Sequence, residues 1–199
     1  MTRPATVSAG RRATGGAEHA GGVASGFAVR RLVPADAAPY RALMIGAYRD
    51  EKDAFTSTAA ERESLPLAWW EARMAVDDDA AELVFGAFAA GRLVGAAGLN
   101  FERRTRTRHK ATLFGMFVHP DFRGRGVAGA LVRAVLDQAR ATPGIAVVQL
   151  TVTDTNEAAL RLYERCGFRA FGTEPLAVRI GTAYLAKTHL WCAVGERAP

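Results

Sequence analysis

The chain has 199 residues, of which 49% are hydrophobic, and this suits one globular domain with a sizeable core. No segment approaches the ~18 uninterrupted apolar residues of a membrane-spanning helix, and two cysteines, Cys166 and Cys192, are too few for a disulfide framework. A net charge of +6 attracts nucleic acid, anionic membranes or a phosphorylated cofactor, and composition does not choose among them. Free thiols are typical of a reducing compartment, so we expect a cytoplasmic protein.

The first 26 residues differ in composition from the rest of the chain. They repeat Ala, Gly, Ser and Thr without an apolar stripe, so they cannot bury enough surface to offset the entropy lost on ordering. Arg11-Arg12 lacks the apolar run that an export signal needs. We therefore expect residues 1–26 to be a disordered or artificially added tail, and residues 27–199 to form the domain.

Apolar periodicity and turn signals divide the first half of the domain into six elements. In chain order these are a strand at 27–32, a helix opened by Pro34, a helix at 67–76, a hairpin of strands at 83–89 and 93–101, and a strand at 111–118. The last of these is almost continuously apolar, which is typical of a central strand buried on both faces.

The second half alternates helices and strands before a final hairpin. It begins with a loop at 119–125 and continues with a helix at 126–140, a strand at 146–152, a helix from Asn156 to Gly167, and strands at 168–173 and 184–192. Asn156 can cap its helix, and Gly167 can end it in a left-handed conformation. The order of elements predicts one mixed α/β (α+β) sheet with helices packed against it.

The sharpest local signal is the loop between the strand at 111–118 and the next helix, which reads Arg123, Gly124, Arg125, Gly126, Val127 and Ala128. Glycines can turn successive backbone N–H groups toward one point, and the helix N-terminus adds unpaired donors and partial positive charge. Together they predict a pyrophosphate site, to which the arginines add charge. By itself the loop also fits a simple chain reversal or a dinucleotide site. In the dinucleotide fingerprint, however, the strand is followed directly by the glycine turn and the helix, whereas here residues 119–123 come between the strand and the glycines.

Two longer segments resemble the GNAT superfamily of N-acetyltransferases. Residues 114–128 are similar to its cofactor motif, and Arg123, Gly126 and Ala128 match the Q/R-x-x-G-x-G/A signature. Residues 156–168 resemble the family's N-x-x-A-x-x-L-Y-x-x-x-G-F helix. The two segments stand in the family's order and separation, and the resemblance extends over about residues 27–190.

The resemblance implies a mostly antiparallel sheet of about seven strands, splayed between strands 4 and 5 and flanked by about four helices. It also implies acetyl transfer from acetyl-CoA to a primary amine, by direct attack through a tetrahedral intermediate. Main-chain groups of Phe117 and Val118 would hold the pantetheine arm, the 123–128 loop the pyrophosphate, and Asn156 the region near the sulfur. Tyr163 would be the general acid that protonates the leaving thiolate, since an ordinary tyrosine keeps its proton at neutral pH.

The general base is the role that the sequence leaves open. Leu113–Val118 contains no carboxylate, although many members of the family carry a glutamate on the fourth strand. Glu102, His109 and a chain of water molecules are the alternatives. No spacing of His, Cys, Asp and Glu resembles a metal site, so we expect no metal.

The acceptor pocket is expected near the first two helices, around Phe55, Trp69, Trp70 and Arg73, with one of the adjacent tryptophans in the core. We expect a small-molecule amine as acceptor, with a protein lysine or N-terminus as the alternative. A homodimer is possible, and no membrane partner is expected.

Two hypotheses from other classes stay open at this point. One is a CoA-binding module without turnover, because the fourth strand lacks a carboxylate. The other is nucleic-acid binding, because residues 103–110 hold five Lys or Arg. That run lacks aromatic residues for base stacking, and it suits a solvated hairpin tip better.

Overall fold

The fold is built on one seven-stranded sheet in a computed structural model that describes residues 26–77 and 79–195. The strand order is β1-β2-β3-β4-β5-β7-β6, and every neighbouring pair is antiparallel except β4 and β5. The strands are β1 Ala28–Arg31, β2 Glu82–Ala89, β3 Arg92–Phe101, β4 Lys110–Val118, β5 Val147–Thr153, β6 Arg169–Ile180 and β7 Ala183–Ala193.

Helices cover both faces of this sheet. They are α1 Ala37–Asp50, α2 Ala59–Glu63, α3 Leu67–Ala72, α4 Val127–Ala141 and α5 Glu157–Arg165. Consecutive strand residues fall into two separate buried clusters, as the alternation of side chains along a strand requires. Val118 packs in the cluster with α4 and α5, whereas Phe117 packs in the cluster with α1 and α3. Among the described residues, no helix is long and apolar enough to cross a membrane.

The parallel pair β4 and β5 separates after a short stretch of pairing. Residues 110–112 pair with residues 147–149, and no later residue of either strand pairs with the other. β3 continues to pair with β4 as far as Val118, so only the β4 edge that faces β5 is left open. This confirms the splay that the resemblance implied. It creates a gap in the middle of the sheet, bordered by unpaired backbone groups of residues 113–118.

A β-bulge lies in β4 beside this gap. Ala96 faces Phe117 and Gly98 faces Phe114, so Gly115 and Met116 together face the single residue Ala97. Gly115 has φ = +60°, a conformation that costs an L-residue about 1–2 kcal/mol. Over this stretch β4 therefore has one residue more than β3.

The mixed sheet predicted from the sequence is confirmed, and its strands and longer helices follow one another along the chain in the predicted order. The chain differs in having a fifth helix, α2, which is too short for periodicity to show. Its signal is a capping box, in which the N–H of Thr58 donates to Glu61 Oε2 at 2.7 Å. Strand β6 also continues to Ile180 rather than 173, and its pairing with β7 shifts register at Phe171 and again over residues 175–177. The tail predicted at 1–26 lies outside the described residues except for Gly26.

Candidate active site

The loop before α4 presents a row of free backbone donors. Gly124 and Gly126 have φ of +73° and +82°, and Gly126 is the N-cap of α4. In the described part of the chain, the N–H groups of residues 124–126 donate to no acceptor, and the first turn of α4 adds its own unpaired groups. A Cβ at either glycine would meet nothing within 4 Å, so glycine is required here for its backbone conformation. The donors suit an anion such as a pyrophosphate.

The two arginines of this loop play different parts. Arg123 donates from Nε to the carbonyl of Val118 at 3.0 Å and from its guanidinium to Glu51 Oε1 at 2.6 Å. It therefore ties the loop to the end of β4 and to the residue after α1. Arg125 is exposed, lies 5.3 Å from the centre of the Phe122 ring and has no ion pair within the described residues. Its charge is available to a phosphate, whereas that of Arg123 is shared with a carboxylate.

The end of β4 offers a ligand its main chain only. Phe117 and Val118 are 7% and 8% exposed, and their side chains pack on opposite faces of the sheet. What remains toward the gap is the open backbone edge, which suits a chain with amide groups such as pantetheine. The roles given to both residues remain predictions.

Two further residues that the sequence assigns to the site, Asn156 and Tyr163, belong to helix α5 and its N-terminal cap. Asn156 Oδ1 accepts the N–H of Ala159 at 3.1 Å, so this side chain caps the helix as predicted and keeps its amide N–H groups free. Gly167 ends the helix with φ = +94°, also as predicted.

Tyr163 is enclosed but not sealed off. It is 5% exposed, and its ring meets that of Phe168 edge-on at 5.6 Å. Burial raises the pKa of the Tyr163 phenol well above its usual range, and the neighbouring Cys166 adds to this. The hydroxyl has no hydrogen-bond partner in the described residues, and its oxygen is not fully enclosed. The residue is a protonated phenol on the α4–α5 side of the sheet.

A cleft of about 380 Å³ opens on the opposite side of the sheet, where β4 and β5 separate. Its floor consists of residues 112–115 of β4 and 149–151 of β5. Gln149 and Thr151 face this side because Val148 and Leu150, which alternate with them, pack toward α4 and α5. The segment between α1 and α2 and strand β7 form the walls.

Positively charged groups dominate the lining of this cleft. Arg62, Arg73 and Lys187 line it, and no Asp or Glu of the described residues does, while Glu82 pairs with Arg73 and Glu174 with His189. Lys187 Nζ donates to Thr56 Oγ1 at 2.6 Å, and burial lowers the pKa of Lys187, with Glu174 acting in the opposite direction. We therefore expect the cleft to attract anionic groups.

One histidine and one glutamate form a pair at the cleft that the sequence analysis missed. His189 on β7 and Glu174 on β6 lie on neighbouring strands, with Nε2 and Oε2 3.0 Å apart. Since the carboxylate only accepts, Nε2 carries the proton of this bond, and in the neutral imidazole Nδ1 then has a free lone pair. The signal was the alternation of Lys187 and His189 along β7, which places both side chains on one face.

The two candidates for general base suggested by the sequence lie elsewhere. The N–H of Glu102 donates to the carbonyl of Lys110 at 3.1 Å, and the carbonyl of His109 accepts from Ala146 at 2.8 Å. Both residues stand at the end of β4 where β4 and β5 are still paired, and neither lines the cleft. The basic run at 103–110 forms the turn between β3 and β4, as predicted.

The region of the first helices borders the cleft as expected. Phe55 and Arg73 line it, and Trp70 is the tryptophan in the core, at 1% exposed. Trp69 is half-buried, with the guanidinium carbons of Arg62 and Arg73 at 4.8 and 4.6 Å from its ring centre. A Cβ at Gly98 would overlap the Phe114 ring, so this glycine lets that ring lie over β3 and beneath Arg73, at 4.6 Å.

Comparison with known proteins places this architecture in one family. The model of the acetyltransferase (GNAT) family matches residues 44–168. A GNAT-family acetyltransferase from Streptococcus pneumoniae is 23% identical and has a TM-score of 0.72, with 85% of this chain and 99% of that one covered. A putative acetyltransferase from Salmonella typhimurium, solved with its cofactor acetyl-CoA, is also 23% identical, with coverages of 87% and 96% and a TM-score of 0.72.

A third solved structure, a phosphinothricin acetyltransferase from Sinorhizobium meliloti in complex with acetyl-CoA, is 17% identical. The superposition covers 86% of this chain and 90% of that one, with a TM-score of 0.74. At these identities the solved structures show the fold, and the family model carries the assignment. The predicted enzyme class, an acyltransferase that uses acetyl-CoA, is confirmed. This chain belongs to the GNAT family of acetyltransferases.

Proposed function

We propose that this enzyme transfers the acetyl group of acetyl-CoA to the primary amine of a small molecule. The observation that carries the proposal is the gap between β4 and β5, which has an anion-binding loop at its open end and a cleft on one face. The gap lets two ligands meet through the sheet, one approaching from the α4–α5 side and the other from the cleft.

The chain's groups fit the parts of acetyl-CoA. The N–H groups of residues 124–129, with Arg125, hold the pyrophosphate. The open edge of β4 at Phe117 and Val118 pairs with the pantetheine amides, and Asn156 offers its free amide N–H groups near the sulfur. Bound acetyl-CoA supplies an activated thioester carbonyl. Beside the bulge at Gly115 and Met116, the β4 edge that has no β5 partner offers its backbone N–H groups to the negative charge that develops on the carbonyl oxygen.

Proton transfer is divided between the two faces of the sheet. On the cleft side, His189 accepts the proton that the amine nitrogen loses, through Nδ1, while Glu174 orients the ring. On the α4–α5 side, Tyr163 donates its proton to the departing sulfur. Its raised pKa keeps the phenol protonated until the thiolate appears. When the acceptor enters as an ammonium ion, His189 takes one proton before the attack and passes it to solvent. After the attack, nitrogen loses a second proton to His189 and sulfur gains one from Tyr163.

The cleft supports a small acceptor. A volume of about 380 Å³ lies at the lower end of the range of small-molecule sites. A protein lysine or N-terminus is the alternative, and it requires an open path to the cleft from outside. The cytoplasmic setting and a homodimer remain predictions. The free thiols of Cys166 and Cys192 are consistent with a reducing compartment.

The proposal predicts that the purified protein releases CoA thiol only when acetyl-CoA and a primary amine are both present. Mass spectrometry should find the amine heavier by one acetyl group, in amounts equal to the thiol released. Secondary-amide analogues of the same amines, which have no free amine, are the control. Tight binding of acetyl-CoA without acetylation of any amine, free or on protein, would favour a CoA-binding module without turnover.

A further inference from the structure

We infer that the acceptor carries an anionic group, a carboxylate or a phosphoryl oxyanion, in addition to its amine, and that Arg62 binds this group. The inference rests on the proposed function and specifies its substrate class. Within the part of the chain that the structure describes, the cleft is lined by Arg62, Arg73 and Lys187 and by no Asp or Glu, while Glu82 pairs with Arg73 and Glu174 with His189. A cleft whose lining side chains carry mainly positive charge repels a second ammonium group and attracts an oxyanion.

Arg62 is the cation that is least neutralised. Its guanidinium donates to the hydroxyl of Ser57 at 2.8 Å and has no carboxylate partner within the described residues. An oxyanion at the accessible N–H groups of the guanidinium is the type of ligand that a planar fork of donors binds best.

The other cations differ from Arg62 in this respect. Arg73 forms an ion pair with Glu82 at 3.2 Å, and Glu82 in turn accepts from Asn100 at 3.1 Å. Lys187 donates to the hydroxyl of Thr56, and Glu174 acts on its charge. Carboxylates therefore offset part of the field of Arg73 and Lys187, whereas Arg62 has no carboxylate partner within the described residues.

Aromatic rings hold the Arg62 head in place before a ligand arrives. The guanidinium carbon lies 4.8 Å from the Trp69 ring centre and 5.8 Å from that of Tyr48. Stacking restricts the rotamers of a long side chain, so less entropy is lost when it binds an anion. An anion at the edge of this guanidinium also lies near the Trp69 indole, and this provides an optical signal.

The cationic surroundings also favour the reaction. A nearby like charge disfavours the protonated form of an ammonium group. An acceptor held by its anionic end therefore presents an amine that loses its proton more readily than it does in water. A polyamine would bring more positive charge into the same space, and we expect it to be a poor substrate.

The test compares amino carboxylates with their isosteric primary amides as acceptors. The series runs from glycine to 6-aminohexanoate, with 2-aminoethylphosphonate to distinguish a phosphoryl group from a carboxylate and putrescine as the dication. We expect at least one anionic amine to exceed its neutral counterpart at least tenfold in kcat/KM. In Arg62→Gln this ratio should fall close to one, because the loss in kcat/KM falls mainly on the anionic amine. The control is Arg161→Gln, which removes an exposed arginine of α5 and should leave the ratio intact.

A binding measurement separates this inference from the proposed function. Glutarate should change the indole fluorescence of the wild type, and the change should be lost in both Arg62→Gln and Trp69→Phe, whereas neutral glutaramide should have no effect. Neutral amides acetylated as well as their carboxylates would overturn the inference and leave the acetyltransferase proposal standing. Equal loss on both substrates in Arg62→Gln, or no response to glutarate, would also overturn it. No acetylation of any amine would instead contradict the proposed function itself.

Discussion

Replacing Tyr163 with phenylalanine is expected to lower kcat about a hundredfold or more while leaving the Kd for acetyl-CoA unchanged. General acids contribute about 10²–10⁴-fold to rate, and the substitution removes only the hydroxyl. Because that hydroxyl has no partner within the described residues, its loss breaks no internal hydrogen bond, and the ring can still pack against Phe168. Steady-state kinetics and calorimetry on the same preparation measure the two quantities separately.

The pH profile provides a second check on Tyr163. Burial raises the pKa of its phenol, so the proton-carrying form persists as pH increases past the ordinary tyrosine range near 10. We therefore expect no loss of kcat below about pH 10 from ionisation of this residue. The control is Tyr184→Phe, which changes a tyrosine that is 54% exposed on β7. Unchanged kcat in Tyr163→Phe would remove this residue from the mechanism.

Replacing His189 with glutamine is expected to lower kcat/KM about a hundredfold at neutral pH, within the usual range for a general base. Glutamine can still bind Glu174 but cannot take up a proton. As the pH approaches the pKa of the acceptor in water, more amine is already neutral and the need for a base declines. The loss should therefore shrink progressively toward alkaline pH, which a purely structural defect would not do.

Two further variants sharpen the test of His189. Glu174→Gln keeps the shape of the partner but removes its charge, so we expect a smaller loss with the same recovery at alkaline pH. His109→Gln changes a histidine at the paired end of β4, away from the cleft, and should leave kcat/KM unchanged. An equal loss for His189→Gln at every pH would contradict the role of proton acceptor.

The local backbone features on the cofactor side of this protein could be predicted from short sequence motifs. The left-handed glycines at 124 and 126, the N-cap of α4 and the cap at Asn156 depend on residues that are close along the chain. Their conformational preferences act in any surroundings, so a short motif predicts them. The splay of β4 and β5 followed from the resemblance, since pairing across a sheet leaves little trace in one sequence.

The acceptor side depends on contacts between distant residues and was not readable in the same way. Glu174 and His189 meet only because the β6–β7 register brings together residues 15 positions apart. Arg123 was expected at the pyrophosphate, but its head reaches Glu51, 72 positions away. Arg62 belongs to α2, a helix of five residues that periodicity does not reveal. Side chains of this kind acquire their surroundings from the tertiary fold, which single-sequence patterns do not contain.

Whether the loop before α4 binds acetyl-CoA can be measured by calorimetry of acetyl-CoA binding to wild type, Gly126→Asn and Gly126→Asp. Asparagine and aspartate have nearly the same shape, and both tolerate the left-handed conformation and cap helices. They differ in charge, and only aspartate repels a pyrophosphate bound at the N-terminus of α4. We predict micromolar binding to the wild type, retained largely in Gly126→Asn and weakened at least tenfold further in Gly126→Asp. Equal affinity in the two variants, or no binding to folded wild type, would contradict the assignment of this loop to acetyl-CoA.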